Sequence, residues 1–200
     1  VKYNEDRFLF DCGEGTQRQL MIKNLKFMRI KAIFITHWHA DHFAGLPGLI
    51  QTMSMEGRKE ALYIYGPERT TEFVDQLLNI GYFERSFPII VHDLKHGDRV
   101  EYSRYYVEAF KTYHGIPSLG YVFKEKDKLK ANMEKAKKFG LRSGPLIGKL
   151  KRGLEVNFRG KIIKPEDVVE VVPGKKIAYT GDTGYRKSLI KPVKNANVLI

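Results

Sequence analysis

Residues 30–42 read Ile30, Lys31, Ala32, Ile33, Phe34, Ile35, Thr36, His37, Trp38, His39, Ala40, Asp41, His42, an apolar run that delivers three imidazoles and a carboxylate in an HxHxDH pattern. The first six residues carry the β-branched and aromatic weight of a short buried strand. The next stretch, Phe43 to Ile50, reads as the opening of a helix. A strand end just before a helix is where α/β folds place their functional loops. On an extended segment His37 and His39 point to one side, and Asp41 and His42, past the turn, can face the same cavity from another direction. Imidazole and carboxylate donors together suit a borderline divalent ion, above all zinc, and this arrangement suits two adjacent metals better than one. The alternative is a cluster of exposed or hydrogen-bonded histidines. Half of the chain's six histidines fall in this window, which favours the metal.

A chain of 200 residues, 42% hydrophobic, fits one α/β domain over residues 1–200 with a sizeable core. No apolar run approaches the roughly 20 residues that span a bilayer, and no signal-peptide pattern opens the chain, so a cytoplasmic protein without membrane attachment is expected. The single cysteine, Cys12, excludes an internal disulfide framework and a thiolate zinc knuckle, and reads as a small core residue. The chain opens on Val1 without methionine and stops at Ile200 in what reads as a buried strand, so parts are expected to be missing at both ends.

The net charge of +12 is unevenly spread. Residues 124–164 hold fourteen Lys/Arg and four Asp/Glu, leaving a net of only +2 for the rest of the chain. That segment is expected to be an inserted basic arm that holds a polyanionic partner. A solvated lysine-rich face of the kind common in heat-stable proteins is the bland alternative.

Elsewhere, alternation and turn residues place strands at residues 7–10, 30–36, 61–65, 87–91, 99–102, 105–110, 119–123, 176–180 and 198–200. Helices are expected at residues 14–21, with acid near the start, at 68–78, with Pro67 as a first-turn residue, at 129–139, closed by Gly140, and at 186–190. Lys95, His96, Gly97 and Asp98 form a turn, as do Ser143, Gly144 and Pro145.

Two metals need further ligands, and two strand ends offer them. His114 precedes the loop Gly115, Ile116, Pro117, and as a lone histidine could equally be packed or solvated. Asp182 lies in a Gly-Asp-Thr-Gly turn, where it could cap the turn or bridge two cations about 3.5–4 Å apart. Asp11 is open between orienting a ligand histidine and forming a turn. Trp38 reads as a packing wall, and His92 and His96 as exposed or structural.

The HxHxDH run, the later lone histidine and the Gly-Asp-Thr turn together resemble the metallo-β-lactamase superfamily. Within it the chain resembles the ribonuclease Z family of tRNA 3′-processing endonucleases. The discriminating residues are Phe10 to Leu20, which include Asp-Cys-Gly-Glu-Gly-Thr, then His114 with Gly120 and Tyr121, and Ser143, Gly144, Pro145, Leu146 inside the basic segment. The likeness runs over nearly the whole chain.

The resemblance implies an α/β fold, a four-layer αβ/βα sandwich with a protruding basic exosite arm. It implies two zinc ions, one bound by His37, His39 and His114, the other by Asp41 and His42, with Asp182 bridging. A further histidine that completes the coordination of the second zinc would lie beyond Ile200. It implies cleavage of the 3′ trailer from precursor tRNA, leaving a 3′-hydroxyl on the tRNA and a 5′-phosphate on the trailer; Asp41, which can touch both metal and water, is the expected proton acceptor and catalytic residue. Lys137, Lys138, Arg142, Lys149, Lys151 and Arg152 would contact RNA phosphates, and the protein would be a homodimer. Two rivals share parts of this reading: another hydrolase of the superfamily acting on a small phosphodiester, lactone or sulfate ester, and a nonhydrolytic RNA-binding module.

Overall fold

The computed structural model describes residues 1–82 and 85–200. Its first sheet runs β1 (Lys2–Tyr3), β2 (Asp6–Phe10), β3 (Ile30–Phe34), β4 (Leu62–Gly66) and β5 (Ile89–Asp93) in that order. Only the β1–β2 pair is antiparallel; β2 to β5 are parallel. Parallel strands buried on both faces read as continuous apolar runs, which is why Ile30 to Ile35 shows no polar alternation.

The two faces of this sheet have different partners. Ile33 and Ile35, with Leu62 and Ile64 of β4, pack into one cluster with Leu46, Leu49, Ile50, Met53, Val74 and Leu78. Those side chains come from the helices α3 (Leu46–Met55) and α4 (Thr70–Leu78), which follow α1 (Thr16–Ile22) and α2 (Ala40–Phe43) along the chain. The residues between, Phe8, Phe10 and Phe34, point to the opposite face, as the period of two requires. There they meet Tyr121 and Phe123 of a second sheet: Phe34 lies 5.2 Å from Tyr121 and Phe8 lies 5.7 Å from Phe123, centroid to centroid.

The second sheet begins with β6 (Arg99–Glu101), β7 (Tyr105–Lys111) and β8 (Leu119–Glu125). The chain then builds a separate compact unit from residues 124–175, with Ser103–Tyr105. This unit holds β9 (Lys128–Ala131), α5 (Met133–Lys138), α6 (Pro145–Lys151), β10 (Val156–Phe158), β11 (Lys161–Ile163), α7 (Pro165–Val168) and β12 (Val169–Val172). It has its own core of Ala136, Leu141, Ile147, Leu150, Val156, Ile163 and Val168. The chain returns to the first unit as β13 (Lys176–Tyr179), a 3-10 turn at Lys187–Leu189, α8 (Ile190–Val193) and β14 (Val198–Leu199). The second sheet has the order β14-β13-β8-β7-β6. Leu189, Val193 and Ala196 cover Phe110, Val122 and Ala178, completing the helix, sheet, sheet, helix layering of the first unit.

Several expectations need correction. Residues 129–139 are not one helix: β9 pairs with β12, and α5 starts afresh after Asn132, whose side-chain oxygen accepts from Glu134 N and Lys135 N. The N-cap competes successfully with continuation of either element. The basic segment therefore does contain sheet elements, and the compact unit continues past residue 164 to Lys175. α4 begins at Thr70, not at residue 68, because Arg69 takes a left-handed conformation at φ 70°; Pro67 stays outside the helix and accepts from Thr70 Oγ1 through its carbonyl. α1 has no acid in its first turn, since Glu14 precedes it. Val198 and Leu199 lie at a sheet edge with exposed side chains rather than in a buried strand.

Two glycines set how closely the backbone before α1 docks on α2. A Cβ on Gly13 would sit 2.0 Å from Asp41 O, and one on Gly45 would sit 2.1 Å from Gly13 O. Cys12 N donates to His42 O at 2.7 Å and Gly45 N to Cys12 O at 2.9 Å across that contact. A backbone contact cannot yield as a flexible side chain does, so Gly13→Ala is expected to lower unfolding stability by about 1–3 kcal/mol, measured as a reduced urea midpoint with an unchanged slope.

Candidate metal centre

Three connections converge at one end of the two sheets and supply the six side chains. His37 and His39 leave β3, Asp41 and His42 belong to α2, His114 lies in the β7–β8 connection, and Asp182 follows β13. Main-chain bonds fasten these loops together. Leu119 N donates to Thr36 O at 2.9 Å, Gly184 N to Tyr113 O at 2.7 Å, and Tyr113 N to Thr183 Oγ1 at 3.0 Å. Gly181, at φ 58°, lies where a Cβ would come within 2.7 Å of Thr36 Oγ1, so the Asp182 turn approaches the strand end without a side chain between.

Three imidazole nitrogens meet at one point. His37 Nε2 and His114 Nε2 each lie 3.1 Å from His39 Nδ1. A tetrahedral zinc with bonds of about 2.0–2.1 Å separates its donor atoms by about 3.3 Å, so this triangle matches one face of such a site. A second group comprises His37, His42 and Asp182. The Asp182 carboxylate straddles the two groups, with Oδ1 at 3.7 Å from His42 Nε2 and Oδ2 at 3.8 Å from His114 Nε2. Asp41, with a side chain 76% exposed, stands beside the second group, its Oδ2 3.5 Å from His42 Nε2. The donor set, neutral imidazoles with a carboxylate between them, fits divalent metal ions of the zinc type.

Protonation states follow from Asp11. Its side chain is 8% exposed and accepts four hydrogen bonds: Thr36 N at 2.7 Å on Oδ1, and Thr36 Oγ1 at 2.9 Å, His42 Nδ1 at 2.8 Å and Tyr179 OH at 2.9 Å on Oδ2. A carboxylate only accepts, so His42 carries its proton on Nδ1 and turns the Nε2 lone pair toward Asp182. Thr36 spends its hydroxyl proton on Asp11 and so accepts from His37 Nδ1 at 3.0 Å, which frees His37 Nε2 in the same way. Burial, then the neighbouring His42, His114 and His39, pull the His37 pKa down to about 4 against the opposing influence of Asp11, so its ring is neutral as a metal ligand must be. The Tyr179 phenol is held above its ordinary value by burial and by Asp11, and remains a donor.

Asp11 thus both forms the turn, at φ 57°, and orients the His42 ring directly and the His37 ring through Thr36. Thr36 and Tyr179 escaped notice in the sequence because a hydroxyl that acts through a carboxylate leaves no spacing signal. Trp38 is a packing wall, its ring 4.9 Å from Phe43 and 5.1 Å from Phe73, with Nε1 donating to Thr70 Oγ1. His92 and His96 are exposed and far along the chain from this cluster.

The second unit gathers some of the expected cations and not others. Lys137 and Arg142 line a cavity of about 600 Å³ with Arg159, Phe158 and the Ser143, Gly144, Pro145 turn. Lys138, Lys149, Lys151 and Arg152 are exposed but outside that lining. Arg159 was missed; its sign was the Phe158, Arg159, Gly160 turn between two short strands.

With this geometry in hand, known proteins give the chain its relatives. The family model described as Anti-Pycsar protein Apyc1 matches residues 1–138. Over its whole length the chain is 46% identical to a protein named ribonuclease Z from Pyrococcus abyssi and 45% identical to one from Methanosarcina mazei, spanning 66% of each. The chain belongs to the family that this model describes, and along its whole length it is similar to proteins named ribonuclease Z. Among solved structures it resembles human tRNase Z, short form, at a TM-score of 0.69 and 27% identity, covering all of this chain and 68% of that one. The metallo-β-lactamase fold protein YhfI from Bacillus subtilis shares the fold at a TM-score of 0.61 and 15% identity, over 99% of this chain and 59% of that one. The chain spans just under two thirds of the curated ribonuclease Z relatives. It has the metallo-β-lactamase fold, and the ribonuclease Z likeness, unlike the family model, continues through the whole basic unit.

Cys12, adjacent to Asp11, is fully buried, and burial pushes its thiol up to about 12. At pH 8 the folded protein is therefore expected to resist iodoacetamide over hours, while the urea-unfolded chain is alkylated within minutes; mass spectrometry of the Cys12 peptide checks this.

Proposed function

We propose that the protein to which this chain belongs is a zinc-dependent endoribonuclease that removes the 3′ trailer from precursor tRNA. The observation that carries the reading is the full-length likeness to ribonuclease Z proteins, extending through residues 139–175 where the Apyc1 family model has stopped. A small phosphodiester needs no unit with fourteen Lys/Arg against four Asp/Glu over residues 124–164. Within the same reading the protein is a cytoplasmic homodimer; among the described residues no helix is long and apolar enough to cross a membrane.

His37, His39 and His114 would hold one cation, and His42, Asp41 and Asp182 the other, with the two oxygens of Asp182 directed to the two groups. Two zinc ions bound there would offset the charge of the attacked phosphate and make water a better nucleophile at neutral pH. Asp41 is the proton acceptor, since its exposed carboxylate lies at the open side of the cluster beside His42. Water's oxygen joins the phosphorus, the bond to the 3′ oxygen breaks, and that oxygen leaves as the tRNA 3′-hydroxyl, with the 5′-phosphate on the trailer.

Lys137, Lys138, Arg142, Lys149, Lys151 and Arg152 contact phosphates and so position the RNA without reading its sequence. Each contact contributes about 0.7–0.9 to the slope of log affinity against log salt.

The decisive comparison is cleavage of precursor tRNA against a small chromogenic phosphodiester. Replacing Lys137, Lys138 and Arg142 together by alanine is expected to weaken precursor tRNA binding and flatten its salt slope by about 2–3, leaving turnover of the small ester unchanged. Unchanged RNA affinity in that variant would return the basic unit to a solvated surface and favour a small-molecule hydrolase. Asp41→Asn is expected to lower the cleavage rate at saturating substrate by about 10²–10⁴-fold while RNA binding persists in a filter or gel-shift assay.

A further inference from the structure

Tyr179 closes β13, three residues before Asp182, and its phenol has no part in the mechanism above. Its ring packs against Phe10 at 5.8 Å between centroids, which aims the hydroxyl at Asp11 Oδ2. That one oxygen receives three donors: Tyr179 OH, Thr36 Oγ1 and His42 Nδ1. Thr36 also binds Oδ1 through its amide, so the β3 end holds both carboxylate oxygens and Tyr179 adds a donor to Oδ2 from a second strand.

The connections from this carboxylate are unequal. It touches His42 directly and reaches His37 through the Thr36 hydroxyl, whereas His39 contacts His37 and His114, and His114 contacts His39 and Asp182. A change in the orientation of Asp11 is therefore felt by the His42 ring before any other ligand. We infer that Tyr179 is a positioning residue that acts through Asp11 on His42, and that it selectively sets the affinity of the cation held by His42 and Asp182. This rests on reading the cluster as a two-cation centre.

Tyr179→Phe removes the hydroxyl and keeps the ring on Phe10, so the apo fold is preserved, which thermal melting checks. The test titrates the apo form of the whole protein to which this chain belongs with Co²⁺, followed by visible absorption and equilibrium dialysis. Two ions bind to the unaltered protein. In Tyr179→Phe the first binding constant stays within about twofold and the second weakens about tenfold, the size expected for loss of an outer hydrogen-bond partner. In an Asp11→Asn background the added Tyr179→Phe changes the second constant no further, because the path between them is already cut. Coincident isotherms for Tyr179→Phe and the unaltered protein, or equal weakening of both constants, overturn the inference while leaving the two-cation reading intact. Fewer than two ions on the unaltered protein overturn that reading and the inference together.

Discussion

Burying the carboxylate of Asp11 removes a full charge from water, a cost that only well-placed donors can offset. The four donors come from three places in the chain, the end of β3, the helix α2 and the end of β13. None of these segments can withdraw without leaving an ion poorly solvated. A hydrogen bond to a charged group contributes about 1.5–3 kcal/mol, and an orphaned partner costs more. The site is thus held by an anion that has no place among the groups meant for metal.

The same anion decides what the histidines can do. By accepting from His42 Nδ1, and from the Thr36 hydroxyl that accepts from His37 Nδ1, it leaves both Nε2 lone pairs facing inward. Two ring nitrogens each 3.1 Å from His39 Nδ1 cannot both be protonated together with it, and burial reinforces the neutral state at His37. The orientation and proton position of His37 and His42 are therefore set by the protein's own contacts, which is preorganisation of the kind that lowers the cost of assembling a site.

The parts of this architecture that were legible in the sequence are those written in residue type and period. The apolar run into HxHxDH gave both β3 and the metal cluster, because three histidines at such spacing have few other uses. His114 and Asp182 stay ambiguous on spacing alone, since what brings His114 beside His39 and Asp182 beside His42 is the docking of the 112–118 and 180–184 loops, a tertiary fact. Residues 129–139 read as helix because lysine and alanine have helical propensity, while the pairing of Leu129 with Val171, 42 residues on, leaves no local mark. Tyr179 was invisible for a related reason: a tyrosine near a strand end reads as packing until its hydroxyl is seen to face a buried carboxylate.

Strand register stands upstream of all of this. Phe10 pairs with Phe34, Phe34 with Tyr65 and Tyr65 with His92 across four parallel strands, and successive rings stack at 5.0–5.5 Å with interplanar angles of 17°. Because alternate residues face opposite layers, a slip of one residue in β3 would drive Phe34 among the helix side chains and Ile33 between the sheets. It would also carry Thr36 about 3.3 Å along the strand, beyond reach of the carboxylate it now meets at 2.7 and 2.9 Å. The aromatic column forbids that slip by shape alone. The position of a proton on His37 is therefore fixed, through Thr36 and Asp11, by which face of the sheet a phenylalanine occupies.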